Sequence, residues 1–144
     1  MKSFIEYVND VIVKKPITGT KFSIEWYLQS LSSAVEKIEP KNKELLQKWI
    51  DALLSGHFKQ AYHFLGVLGD GCQYNCVAGV YAEISNKHKS TNGVNIYYDR
   101  NDLSVCDNFL TPEFAEVVMT LNDLLYFSFE EIAYVLQHYI PVAD

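Results

Sequence analysis

The stretch "VNIYYDRNDLSVCD" (94–107) decides the fold class. Val94, Ile96 and Tyr98 alternate with polar or neutral positions, and "LSVCD" (103–107) follows "DRND" (99–102), whose Asp and Asn supply turn chemistry. This spacing predicts two strands joined by a hairpin turn, and it is the only clear β signal in the chain. A lone hairpin is marginal in water, so it must pack on helices or gain strands. The expected class is α+β: a mainly helical single domain with a β-hairpin or small antiparallel sheet.

Outward from that stretch, the pattern is helical. "TPEFAEVVMTLNDL" (111–124) has Thr111 as cap and Pro112 at the first helical position. "SFEEIAYVLQHYI" (128–140) opens on a capping box, Ser128 with Glu131, and runs an apolar stripe through Phe129, Ile132, Ala133, Leu136 and Ile140 to a stop at Pro141. On the N-terminal side, "SNKHKSTNG" (85–93) reads as a polar loop and "CVAGVYAEI" (76–84) as a helix. "HFKQAYHFLGVLGDGCQYN" (57–75) is apolar but holds three glycines, and it reads as a packed loop of short irregular turns. A helix starts near Asn42, with Leu45, Leu46, Trp49, Ala52 and Leu53 on one face and Gly56 placed for its C-terminal cap. Residues 23–38 form another helix, capped by Ser23, ended by Pro40 and paired with its successor as an antiparallel hairpin. Residues 2–13 form a short helix before Pro16 and Gly19 break it.

The totals agree with one domain of 144 residues. Apolar residues make up 49% and charged residues 21%, with ten Tyr and eight Phe. The whole chain, 1–144, is expected to be one domain, with 1–40 an N-terminal helical extension on a core of 42–144. Net charge is −6, and it is uneven. Residues 90–144 hold one Arg and nine acids, net −8, while the two preceding segments, 1–41 and 42–89, are each net +1. That acidic third disfavours direct nucleic-acid binding and suits solubility or a basic partner. No apolar run is long enough to span a membrane, and Glu6 and Asp10 interrupt any secretory leader. Three cysteines cannot all pair internally, which points to free thiols in a reducing cytoplasm.

Chemistry-bearing residues are few. Cys76 stands at an expected helix N-terminus, where a thiol pKa can fall, but none of the four histidines sits in a motif that would supply a base. Cys72, Cys76, His88 and Cys106 are zinc-ligand types without a second short-spaced pair, so buried thiols are the better reading. "DRND" lacks the glycine and distal Glu of a calcium loop, and "LGVLGDG" (65–71) lacks the Lys-Ser/Thr of a phosphate loop. No cofactor and no metal are expected. Asn122 and Asp123 read as a junction between two helices.

Three blocks carry a resemblance. "KWIDALLSGHFKQ" (48–60) is similar to a pattern K-W-x-x-A-L-x-S-G-x-Y/F-x-Q found in small bacteriophage and prophage proteins; Trp49, Ala52, Leu53, Ser55, Gly56, Phe58 and Gln60 match it. "CVAGV" (76–80) resembles that family's C-C-L-G-V in Cys76, Gly79 and Val80, with Val77 in place of the second cysteine. "LNDLLYFSFEEIA" (121–133) resembles its L-N-D, spacer, S-F-x-x-I-A block. The three occur in order over about residues 45–137. The resemblance implies a genomic setting rather than a mechanism, and Val77 argues against any role needing adjacent thiols. Phe58 and Gln60 lie beyond the helical stripe. Phe58 is expected to anchor the irregular loop, and Gln60 to satisfy buried backbone near Cys76 or Asn122.

The favoured function is a phage or mobile-element accessory protein. It would bind and inhibit a host protein with a basic surface, in the host cytoplasm, through an acidic aromatic surface. Asp99, Asp102, Asp107, Glu113, Glu116, Tyr97 and Tyr98 are the expected contact residues, and a homodimer is possible. One alternative is a sequestering protein for a nucleotide or other small molecule, its pocket lined by residues 65–71, Gln60, Asn122 and Asp123, with Lys59 or Arg100 turned inward. The other is a thiol hydrolase using Cys76.

Overall fold

The structure is a computed structural model, and it describes residues 3–14, 29, 43–85, 89–98, 110 and 112–139, apart from the side chains of Pro112, Glu113 and Tyr139. The expected helix 23–38, apart from Gln29, the "DRND" turn and the strand 103–107 lie outside the described residues.

The described helices are α1 (Phe4–Lys14), α2 (Lys43–Leu54), α3 (Val77–Ile84), α4 (Pro112–Asp123) and α5 (Phe129–Leu136), with a single 3-10 turn at Gln137–Tyr139. Their local signals explain them. α2 ends where Gly56 takes a φ of +78°, and the Ser55 amide and hydroxyl both return to the Ala52 carbonyl. α5 begins with both halves of the capping box: the Ser128 amide donates to Glu131 Oε1 at 2.8 Å, and the Glu131 amide donates to Ser128 Oγ at 3.1 Å. It turns 3-10 after Leu136, short of the expected 140.

One core joins these helices. α2 buries Leu46, Trp49, Ile50 and Leu53, on the expected stripe. Trp49 is fully buried, packs edge-on against Tyr81 of α3 at 5.3 Å, and donates from Nε1 to the Val77 carbonyl at 3.0 Å. Its one polar atom is therefore satisfied inside the core. α3 is buried all round from Val77 to Ala82, the mark of a central helix rather than a surface one. α1 places Phe4, Val8 and Val11 in the same core, one turn apart, and Tyr134 of α5 donates to Asp10 Oδ2 at 2.9 Å. This part of residues 1–40 is thus built into the core.

Among the described residues a five-stranded mixed sheet completes the α+β fold. Its strands are β1 (Lys59–Gln60), β2 (Gly66–Gly69), β3 (Cys72–Asn75), β4 (Lys89–Thr91) and β5 (Asn95–Tyr98), in the order β1-β3-β2-β5-β4. β1 runs parallel to β3, and the other pairs are antiparallel. Three strands come from residues 57–75, which the glycines had marked as irregular turns. The turn of the β2–β3 hairpin is Asp70-Gly71, and both residues have positive φ, +52° and +75°. A two-residue loop with that geometry matches the right-handed twist of its strands, and Asp-Gly is its favoured sequence. β5 begins one residue after the expected start and leaves Val94 exposed in the turn. Its hairpin partner among the described residues is β4, from the expected polar loop 85–93. Asn92 makes that turn: its Oδ1 accepts from the amides of Val94 and Asn95.

Candidate functional site

Two polar networks meet at the loop 61–65. The inner one is a closed ring between the sheet and α3. Gln73 Nε2 donates to Asn75 Oδ1 at 3.0 Å and to Glu83 Oε1 at 2.7 Å. Asn75 Nδ2 donates to the Tyr98 hydroxyl at 2.6 Å, and Tyr98 donates in turn to Glu83 Oε1 at 2.8 Å. Lys89 Nζ closes on the same oxygen at 3.0 Å. Burial pushes the Glu83 carboxyl pKa up, but the hydrogen bonds from Gln73, Lys89 and Tyr98 outweigh it, so the net shift is downward. Tyr98 is raised, by burial first and by the Glu83 carboxylate second. Asn75 Nδ2 also donates to the Leu65 carbonyl at 3.1 Å.

The outer network frames the other end of the loop. Gln60 Nε2 donates to Asn122 Oδ1 at 2.9 Å and to the Phe127 carbonyl at 2.7 Å. Asn122, fully buried, donates from Nδ2 to the Ala61 carbonyl at 2.9 Å and to Asp123 Oδ1 at 2.6 Å. That oxygen also receives the His63 amide at 2.9 Å. Both hydrogens of each amide group are thereby used. Phe58 is half-buried and packs against the core, as expected for the anchor of this loop, and Gln60 reaches Asn122 as expected.

What the frame holds up is apolar and exposed. Tyr62, Phe64, Leu124 and Tyr126 are between 38% and 55% exposed, far more than the fully buried aromatics of the core. Tyr62 and Tyr126 pack in a tilted pair, 5.3 Å between ring centroids, and His63 meets Tyr126 edge-on at 6.5 Å. His63 and Tyr126 both have positive φ, +71° and +53°. A bulky residue in that region is costly and persists where its surroundings hold it, often at functional positions. Beside the patch runs a shallow, open groove along α4, lined by His63, Ala115, Glu116, Met119, Asp123 and Leu124.

The expected contact residues fall unevenly. Glu116 is exposed and lines the groove. Tyr97 is half-buried, its hydroxyl accepting from Asn92 Nδ2 at 3.3 Å. Tyr98 is a correction: it is fully buried, because its position in β5 faces α3 and its hydroxyl completes the inner ring. Glu113 belongs to α4, with its side chain outside the described atoms, and Asp99, Asp102 and Asp107 lie outside the described residues. Tyr62, His63, Phe64, Leu124 and Tyr126 escaped the sequence reading. Their signal was "AYHFL" and "LLYF": aromatic runs between elements, where polar linkers are the norm.

The remaining motif residues have structural duties. Ser55 and Gly56 close α2, and Trp49 fills the core. A Cβ on Gly79 would lie 1.9 Å from the Leu65 carbonyl oxygen, so only glycine lets α3 approach this loop. Cys76 is buried and caps α3 without a side-chain hydrogen bond; burial pushes its thiol pKa up to about 11, with the Asp123 carboxylate adding to the rise. At neutral pH it is a protonated, enclosed thiol, the opposite of the activated nucleophile a hydrolase needs. Cys72 is partly exposed and accepts from Lys59 Nζ at 3.3 Å. Among the described residues, no group of three His, Cys, Asp or Glu is placed to hold a metal ion, and no helix is long and apolar enough to cross a membrane. No family model, no curated protein and no solved structure matches the chain.

Proposed function

We propose that this protein is an interaction module whose loops 61–65 and 124–127 bind another protein. The observation that carries this reading is the exposure of Tyr62, Phe64 and Tyr126 on loops whose ends are hydrogen-bonded by Gln60, Asn122 and Asp123. They stay exposed although the fully satisfied frame beneath them could have been closed over with polar residues. Aromatic side chains with few rotatable bonds are the usual anchors of protein interfaces. The neighbouring carboxylates, Glu116 and Asp123, and the net −8 of residues 90–144 favour a basic partner. With the genomic setting that the resemblance to phage and prophage proteins implies, the partner we propose is a host protein, bound and inhibited in the host cytoplasm. The sequestering alternative has less support. Residues 66–69 are a paired strand, and Gln60 and Asn122 spend their donors on neighbouring side chains and backbone carbonyls.

The test is capture from host lysate on the immobilised protein, at low and high salt, with a Tyr62→Ala, Phe64→Ala variant beside the wild type. A specific protein held at low salt, released at high salt and missed by the variant is expected. Recovery of nothing specific, or equal recovery by the variant, would count against the reading.

A further inference from the structure

We infer that the groove along α4 seats an arginine-bearing apolar segment of a protein partner, an inference that rests on the interaction reading above. The groove is lined by apolar and acidic side chains, together with His63 and Thr120. Ala115, Met119 and Leu124 are apolar, and Met adapts its shape to what it meets. Glu116 and Asp123 bring carboxylates to the same space, and among the described residues no lysine or arginine lines it. An anionic ligand, whether phosphate or a nucleic-acid backbone, meets two carboxylates there. A second copy of this chain meets the same difficulty at an acidic face, since the chain carries −6 and residues 90–144 hold a single Arg.

The geometry selects arginine over lysine. Asp123 spends Oδ1 on the His63 amide and Asn122 Nδ2, and neither bond engages Oδ2. The Tyr62–Tyr126 pair stands beside it, with His63 touching both the groove and Tyr126. A planar guanidinium can lie on a half-exposed tyrosine ring while its N–H fork reaches a carboxylate. An ammonium is more strongly hydrated and offers no flat face. The apolar neighbours of that arginine, on the partner, would cover Met119 and Leu124. The loop does not need to rearrange to receive it, because the Gln60–Asn122 frame already holds its backbone.

The experiment uses the full chain and three fluorescently labelled nonapeptides, Ala-Leu-Arg-Ala-Leu-Leu-Arg-Ala-Leu and its versions with both arginines replaced by lysine or by glutamine. Fluorescence anisotropy at low salt reads the affinities. The arginine peptide is expected to bind about fivefold more tightly than the lysine peptide, and the glutamine peptide more weakly than either. Glu116→Gln and Asp123→Asn, each checked for native fold by circular dichroism, should shrink the charge preference; Asp123→Asn retains an acceptor for the His63 amide. Tyr62→Ala should erase the difference between arginine and lysine. Equal binding of all three peptides, absence of binding, or patch-dependent self-association by sedimentation overturns the inference. Tyr62-dependent capture of a host protein without any arginine preference would overturn this inference alone. Capture that ignores Tyr62 would overturn the interaction reading itself.

Discussion

The inner ring and the outer frame use similar parts for opposite ends. Each joins amide side chains to backbone carbonyls at the loop 61–65: Asn75 at Leu65, Asn122 at Ala61. The inner ring ends on a carboxylate whose partners, Gln73, Tyr98 and Lys89, all belong to the sheet. Asn75 and Tyr98 are its buried members, and Gln73 and the Glu83–Lys89 pair lie at its partly exposed rim. The outer frame has neutral amides at its centre, and its products are two loops of exposed aromatics. A polar network that ends inside the fold contributes stability; one that ends under an exposed patch contributes shape to a surface. Variants should separate the two.

The largest effect belongs to the glycine that lets α3 approach the loop at Leu65 and the Asn75 side chain. Gly79→Ala drives a methyl into the Leu65 carbonyl, and the backbone of the loop must move. A loss of about 3 kcal/mol or more in chemical denaturation is expected, at the upper end for an overpacked site. Next comes the frame. Asn122→Ala strands the Gln60 amide and the Ala61 carbonyl in a buried site and should cost about 2–4 kcal/mol; Gln60→Ala should cost about 1–3 kcal/mol. Both should also weaken capture of a partner, because the loops lose their support.

The alkaline limb sharpens the same picture from between the networks. The Cys76 thiol has a pKa raised from 9.0 to about 11 in the fold. A raised pKa means stability that is complete below pH 9 and declines as pH rises toward 11, because the unfolded thiol ionises first. The loss should approach 2–3 kcal/mol, on the order set by two pH units. Cys76→Ala should remove that part of the decline, read by denaturation across the alkaline range. In the inner ring, Tyr98→Phe leaves Asn75 and Glu83 short of a partner, for about 1–3 kcal/mol, and should leave partner capture unchanged. Glu83 gives the opposite pH limb. Its lowered pKa stabilises the fold above its ordinary 4.5 and loses that contribution as pH falls below it.

The helices were legible because each announces itself in several ways at once. In α2 the Leu46–Trp49–Leu53 stripe and the Gly56 stop agree over a dozen residues, and in α5 the Ser128–Glu131 box marks the start. The strands are two to four residues long, too short for a period to establish itself. β4 is "KST", an exposed edge strand with no apolar face to betray it. β2 begins and ends on glycine, and Gly66 is there because a Cβ would come within 2.8 Å of Ile96 Cβ. Those glycines read as breakers and hid the Asp70-Gly71 turn, the one local signal that specified the hairpin. Of the site, Gln60, Asn122 and Asp123 were legible as motif residues, and Glu116 as an acidic surface residue. The aromatic patch was not, because exposure is decided by tertiary placement. Tyr98 and Tyr62 look alike in sequence, yet one is fully buried and the other 38% exposed.

That pair supplies the most direct measurement. Tyr98→Phe and the Tyr62→Ala, Phe64→Ala double variant should be compared with the wild type for denaturation midpoint and for salt-sensitive capture of a host protein. The account predicts a crossed result. Tyr98→Phe should lose stability and keep the partner, while the double variant should stay within about 0.5 kcal/mol of wild type and lose the partner. A double variant that unfolds easily, or one that still captures the partner as the wild type does, would contradict the claim that these loops are held open to bind.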